Sequence, residues 1–228
     1  MMKFLPSLLL FVSYASAYTY ERLNKNDTVF VIIDIQVGLF SVARDYDAIL
    51  YRNAIYAHAE LAKVFGTPMA PMVRCQQTSS TCSEILLSST VLEKCENAWD
   101  NPEFRKAIEA TGKKQVVLAG ITTDVCTSFA ALSMREAGYS VFVNVEASGT
   151  TTELVRSASN DCMRDAGVQV LSTFAIMSEL MRDWRDTPGA AELFPFLDKY
   201  YPAYTMVALA HRAAVENGTV ITGEEKLH

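Results

Sequence analysis

A chain of 228 residues, half of them hydrophobic, is long enough for one domain with a well-buried core and short for two. Its balance is mildly acidic, 26 Asp and Glu against 20 Lys and Arg. With no dense basic cluster to neutralise a run of phosphates, nucleic acid is excluded as an expected partner.

In chain order, residues 1–17 (MMKFLPSLLLFVSYASA) join one lysine, an apolar stretch from Phe4 to Val12 and the small-x-small triplet Ala15-Ser16-Ala17. That pattern reads as a signal peptide, with an apolar run too short to span a bilayer. The expectation is a secreted or secretory-pathway protein with no membrane association once the signal is removed. Were 1–17 a buried N-terminal helix instead, the protein would be intracellular. Two acceptor sequons, Asn26-Asp27-Thr28 and Asn217-Gly218-Thr219, suit the secretory route.

Val29 to Ile33 is a continuous β-branched and apolar run ending at Asp34, as expected of a parallel strand buried on both faces. From Tyr46 to Phe65 apolar residues recur with a helical period, closed by Gly66 and Pro68; Met69 to Val73 reads as a second strand. Residues 74–96 are polar, rich in Ser and Thr, and hold three cysteines, so they read as a loop. Asn101 caps a helix with Pro102 at its first position, running to about Gly112. Strands at 115–119, 139–145 and 168–171 then alternate with helices at 124–137, 151–166 and 173–185. This alternation predicts right-handed β-α-β units: a three-layer α/β/α, doubly wound, mostly parallel sheet spanning residues 18–186. After Pro188-Gly189 the aromatic-rich extension 187–228 is expected to pack on the domain or on a neighbouring subunit.

In a doubly wound sheet, ligands bind beyond the carboxyl ends of the strands. Asp34 stands at one such end, and Cys126 follows the 115–119 strand at the start of the next helix, which Thr123 or Asp124 is placed to cap. A thiol there feels the helix N-terminus, which favours the thiolate, and the helix N–H groups with one from the Ile121-Thr122 turn are placed to hold an oxyanion. Local context leaves a second reading open, because cysteine is often simply buried. There are five cysteines, Cys75, Cys82, Cys95, Cys126 and Cys162, and in an oxidising compartment the odd count permits an unpaired thiol without identifying it. Three histidines, His58, His211 and His228, offer no metal-ligand spacing, so neither a metal nor another cofactor is expected.

The segments VFVIIDIQVGLF, NAWDNPEFRKAIEATGKKQVVLAGITTDVCTSFAALSMREAGYSVFV and EASGTTTEL together resemble the isochorismatase-like cysteine hydrolase superfamily, most closely its YcaC-like branch, over roughly residues 27–185. The resemblance implies an Asp-Lys-Cys triad, with Asp34 as acid-base group, Cys126 as nucleophile towards an amide or related C–N centre, and Lys94 as the lysine. It also implies a cis peptide at Ile121-Thr122, pocket roles for Gln36 and Asn97, a small-molecule substrate, chemistry that needs no metal, and a homo-oligomer. In that branch the basic residue falls about five positions before Asn97, where this chain has Leu92; Lys94 lies two residues closer, a displacement of roughly 7 Å along an extended strand with its facing preserved. The competing expectation is a secreted, catalytically impaired member that serves as a binding or effector protein.

Overall fold

The computed structural model describes residues 20–70 and 96–220. The expected signal segment, most of the second predicted strand and the cysteine-rich loop with Leu92, Lys94, Cys75, Cys82 and Cys95 lie outside the described residues.

Among the described residues, four parallel strands form the sheet in the order β1 (Thr28–Ile33), β2 (Gln115–Gly120), β3 (Ser140–Asn144) and β4 (Gln169–Leu171). β1 and β2, inner strands of apolar and β-branched residues, are buried along almost their whole length, as a strand covered on both faces must be. Beyond β1, Phe30 makes a parallel bridge to Met69, with the Phe30 N–H donating to Pro68 O at 3.0 Å and the Ala70 N–H to Phe30 O at 2.9 Å. Counting that extended segment as second in the chain, the order is 2-1-3-4-5, and the direction of winding reverses between β1 and β2.

Helices cover both faces. Side chains from β1 that point one way, Val29, Val31 and Ile33, pack with Phe104, Ile108, Ala130, Met134 and Met163 from α3 (Pro102–Ala110), α4 (Ser128–Glu136) and α5 (Glu153–Asp165). The alternate residue Phe30, with Val117 and Phe142, packs with Ala57, Leu61, Ile176 and Leu180 from α2 (Ala48–Val64) and α6 (Thr173–Met181). The period-two alternation of strand side chains thus feeds two cores separated by one sheet.

Local signals set the helix ends. Asp47 accepts N–H bonds from Ile49 and Leu50 to start α2, Asn101 accepts from Phe104 to start α3, and Thr152 accepts from Val155 to start α5. Three features depart from the sequence expectation. A short helix α1 (Val37–Phe40) follows β1. The helix expected over 124–137 opens with a wide turn at Thr123–Thr127, in which the Thr127 N–H reaches back five residues to Thr122 O at 3.0 Å. Thr123 and Asp124 therefore lie inside the first turn and do not cap it; the cap position is Thr122, whose side chain makes no capping bond. The third departure is at α6, which stops at Met181 because Arg182 turns into the left-handed region at φ 71°.

The described part of the C-terminal extension carries two helices. In α7 (Ala190–Tyr200), Leu193, Phe196, Leu197 and Tyr200 join the same core as α2 and α6, and α8 (Pro202–Glu216) lies on α7 with no buried residue.

Candidate active site

The site is built where β1 and β2 end side by side. Ile33 is the register partner of Gly120, and the Ile121 N–H continues the ladder to Ile33 O at 3.1 Å. The next residues along the two strands, Asp34 and Ile121, therefore leave the sheet on adjacent tracks, about 5 Å apart. This is the winding reversal, where a doubly wound sheet opens its crevice.

Asp34 is fully buried and sits at φ 54°. A non-glycine residue in the left-handed region costs roughly 1–2 kcal/mol, least for Asp and Asn, and such outliers collect at functional sites. Gln36 is 8% exposed and starts α1, accepting the Phe40 N–H on its backbone carbonyl at 2.9 Å, while its side chain takes no part in that cap.

The Ile121-Thr122 peptide is cis. Ile121 spends its N–H on Ile33 O, and Thr123 donates its own to Gly149 O at 3.0 Å, so both residues beside Thr122 are tied to neighbouring segments. Cys126 follows in the wide turn, 7% exposed and part of the core cluster that holds Ile33, Ala98 and Ala130. Wide turns of this kind are rare and recur at functional sites. Thr123 and Thr127 flank Cys126 with fully buried hydroxyls that find no hydrogen-bond partner among the described residues.

A close approach holds this turn against β1. A Cβ on Gly120 would lie 2.7 Å from Ile33 O and 2.8 Å from Thr127 Oγ1, so only glycine lets the end of β2 pass between them.

Asn97 is drawn into the architecture. It accepts the Trp99 N–H at 3.0 Å and donates to Ser133 Oγ at 2.9 Å, pinning its segment to α4. Ser133 lies seven residues beyond Cys126, on the same face of the helix and roughly 10 Å further along it. Trp99 packs edge-on against Phe104 and Tyr139, and Asn101 caps α3. The Asn-Ala-Trp-Asp-Asn motif is thus two caps and an aromatic anchor. Lys94 lies outside the described residues.

Inside the fold, His58 is held as a neutral ring. His58 is fully buried against Phe30, its Nδ1 lies 3.3 Å from Asn144 Nδ2, and burial pushes its imidazole from 6.5 down to about 3. Among the described residues no group of His, Cys, Asp and Glu side chains is arranged to hold a metal ion.

Sequence reasoning assigned no role to the loop after β3, which shapes the site. Gly149 bridges Ile121, accepting from Thr123 and donating to Gly120 O at 3.2 Å. A Cβ there would lie 2.8 Å from Ala43 and 2.9 Å from Tyr51. Its neighbour Thr150 is hydrogen-bonded to Asp45 and Asp124, and Asp45 is ion-paired with Arg156 at 3.5 Å. The only local sign was the run Ser148-Gly149-Thr150-Thr151-Thr152. A separate cavity of about 580 Å³, lined by Tyr46, Asn53, Glu146, Arg156, Tyr200 and Tyr201 among others, includes neither Asp34 nor Cys126 in its wall.

Comparison with known proteins agrees with this architecture. The model of the isochorismatase domain matches residues 28–174. A protein of Escherichia coli described as the probable hydrolase YcaC is 38% identical over 190 residues, covering 77% of this chain and 88% of its own length. The crystal structure of E. coli YcaC, reported as an octameric hydrolase of unknown specificity, superposes with a TM-score of 0.79 over 86% of this chain and 99% of that one. YcaC from Pseudomonas aeruginosa, solved with hexane-2,5-diol and covalent acrylamide, is 35% identical with a TM-score of 0.78, over 85% of this chain and 98% of that one.

Proposed function

Because the chain belongs to the isochorismatase family and is a hydrolase of its YcaC-like branch, we propose that it cleaves an amide or related C–N bond of a small molecule through an Asp34-Lys94-Cys126 triad. Asp34 takes the proton of the Cys126 thiol as the thiolate attacks the substrate carbonyl carbon. The N–H of Thr122 and those at the start of the Cys126 helix receive the oxyanion. Collapse of the tetrahedral adduct breaks the C–N bond, and Asp34 returns the proton to the leaving amine. Water then attacks the thioester with Asp34 as base, releasing the acid and restoring the thiol. Lys94 carries the positive charge that keeps a carboxylate and a thiolate from repelling each other.

The observation that supports this most is the adjacency of the Asp34 and Ile121 tracks at the winding reversal, with Cys126 in the turn that follows. The covalent acrylamide held by the P. aeruginosa relative adds to it, since acrylamide is an electrophile that thiolates attack. The octameric E. coli relative supports a homo-oligomer here.

The test is selective alkylation. With iodoacetamide at neutral pH and peptide mass spectrometry, Cys126 is expected to label faster than the exposed Cys162 despite its burial. Cys126→Ala is expected to abolish ammonia or amine release from whichever member of an amide panel the wild-type protein turns over. Labelling of Cys126 no faster than Cys162 would overturn the nucleophile assignment.

A further inference from the structure

Thr150 is fully buried, and every polar atom it owns is committed. Its N–H donates to Asp45 Oδ1 at 3.1 Å and its hydroxyl to Asp124 Oδ1 at 2.6 Å. Its carbonyl accepts the N–H of Arg44 at 2.7 Å and of Asp45 at 3.3 Å. One residue thus stands between two carboxylates and gives a donor to each. The Asp45 side chain is 1% exposed and is braced by the Arg156 guanidinium, 3.5 Å from Oδ2, which in turn lies over the Tyr46 ring. The far end of this chain of contacts is Asp124, two residues before Cys126 in the same turn.

An acidic side chain in the first turn of a helix is attracted to the unpaired N–H groups there, which carry the positive end of the helix dipole. In this protein those N–H groups are the ones that would stabilise a thiolate at Cys126 and an oxyanion on the substrate. A carboxylate seated on them would occupy the donors and set a negative charge beside the thiol, opposing both tasks.

We propose that Thr150 is a positioning residue, anchored by the Asp45–Arg156 pair, whose hydroxyl draws the Asp124 carboxylate off the helix start and leaves those N–H groups to the reaction. The inference rests on Cys126 being the reactive thiol. Asp124 itself does no chemistry in this scheme; it is a charge that has to be kept out of the way while its helix supplies the donors. The loop that carries Thr150 is tied to the same turn through Thr123 N–H and Gly149 O.

The test reads the iodoacetamide labelling rate of Cys126 at fixed pH, with the exposed Cys162 as reference thiol in the same sample. Thr150→Val keeps the shape and removes the donor; it is expected to slow Cys126 about tenfold, the worth of one charge-assisted hydrogen bond, and to leave Cys162 unchanged. Thr150→Ser restores the hydroxyl and is expected to label within a few-fold of the wild type. The double variant Thr150→Val, Asp124→Ala is expected to recover most of the lost rate, because it removes the misplaced charge. Should Thr150→Val fail to fold by circular dichroism, Thr150→Ala carries the same comparison. The proposal is overturned if the hydroxyl-less variant labels like the wild type, if Thr150→Ser is as slow as Thr150→Val, or if the double variant stays slow. Failure of the nucleophile assignment looks different, since Cys126 would then label no faster than Cys162 in the wild-type protein.

Discussion

Asp34 and His58 show opposite uses of burial. The aspartate is fully enclosed at a left-handed position, a costly placement for a charge unless other groups compensate it. Such a placement fits a group whose proton affinity matters to the reaction proposed for it. The histidine is enclosed as a neutral ring, with its proton affinity pushed down to about 3 because burial disfavours the imidazolium. That difference has a measurable consequence. The unfolded chain takes up a proton at His58 near pH 6.5, whereas the folded chain does not until near pH 3. Stability from this residue is therefore fully present above pH 6.5 and is lost as pH falls towards 3, by up to about 1.4 kcal/mol per pH unit. Urea unfolding at pH 7 and pH 5.5 is expected to show a loss of about 1 kcal/mol from this source. His58→Gln, though less stable at both values, is expected to show a shallower dependence; an unchanged slope in the variant would refute the assignment.

Among the elements, the wide turn at Thr123–Thr127 is packed closely onto the strand ends beneath it. Gly120→Ala would drive a methyl group into Ile33 O and Thr127 Oγ1, both under 3 Å from the new atom. Relief requires β1 or the Cys126 turn to shift. The expected cost is about 1–3 kcal/mol, a fall in Tm of several degrees for a chain of this size. Enhanced labelling of Cys126 should vanish with it, because the turn is displaced. Thermal melts paired with the labelling assay check both outcomes, and a variant that keeps wild-type melting and labelling would show the contact to be soft. Asn97, Trp99 and Asn101 illustrate the other side of element-level reading. Asn101 was legible as the cap of α3, and it does cap that helix, whereas Asn97 turns its amide to Ser133 and to the turn it caps. The first of these partners comes from α4, 36 residues away in the chain, and no motif alone reveals it.

At the scale of the molecule, the C-terminal extension divides into two parts with different fates. α7 buries Leu193, Phe196, Leu197 and Tyr200 in the core shared with α2 and α6. α8 buries nothing, yet it carries Met206, Val207 and Leu209 at 67, 58 and 46% exposure. A helix so apolar on its outer side ordinarily has a partner. Together with the proposed homo-oligomer, this predicts by light scattering a mass that is a multiple of the single-chain value, and a shift to smaller species for the Met206→Glu, Leu209→Glu double variant. A monomeric wild-type protein, or an assembly indifferent to both charges, would contradict this. The alternation of strands and helices, the sheet class, the strand-end place of Asp34 and the helix-start place of Cys126 were all legible in the sequence, since each follows from hydrophobic period and from cap and stop residues within a few positions of one another. Only the tertiary structure decided that the helix opens as a wide turn, that Ile121 spends its N–H on β1, and that Thr150 gathers Asp45 and Asp124 from 105 and 26 residues away. Those facts depend on which donors and acceptors meet when distant segments close on one another, and periodicity along a chain carries no record of them.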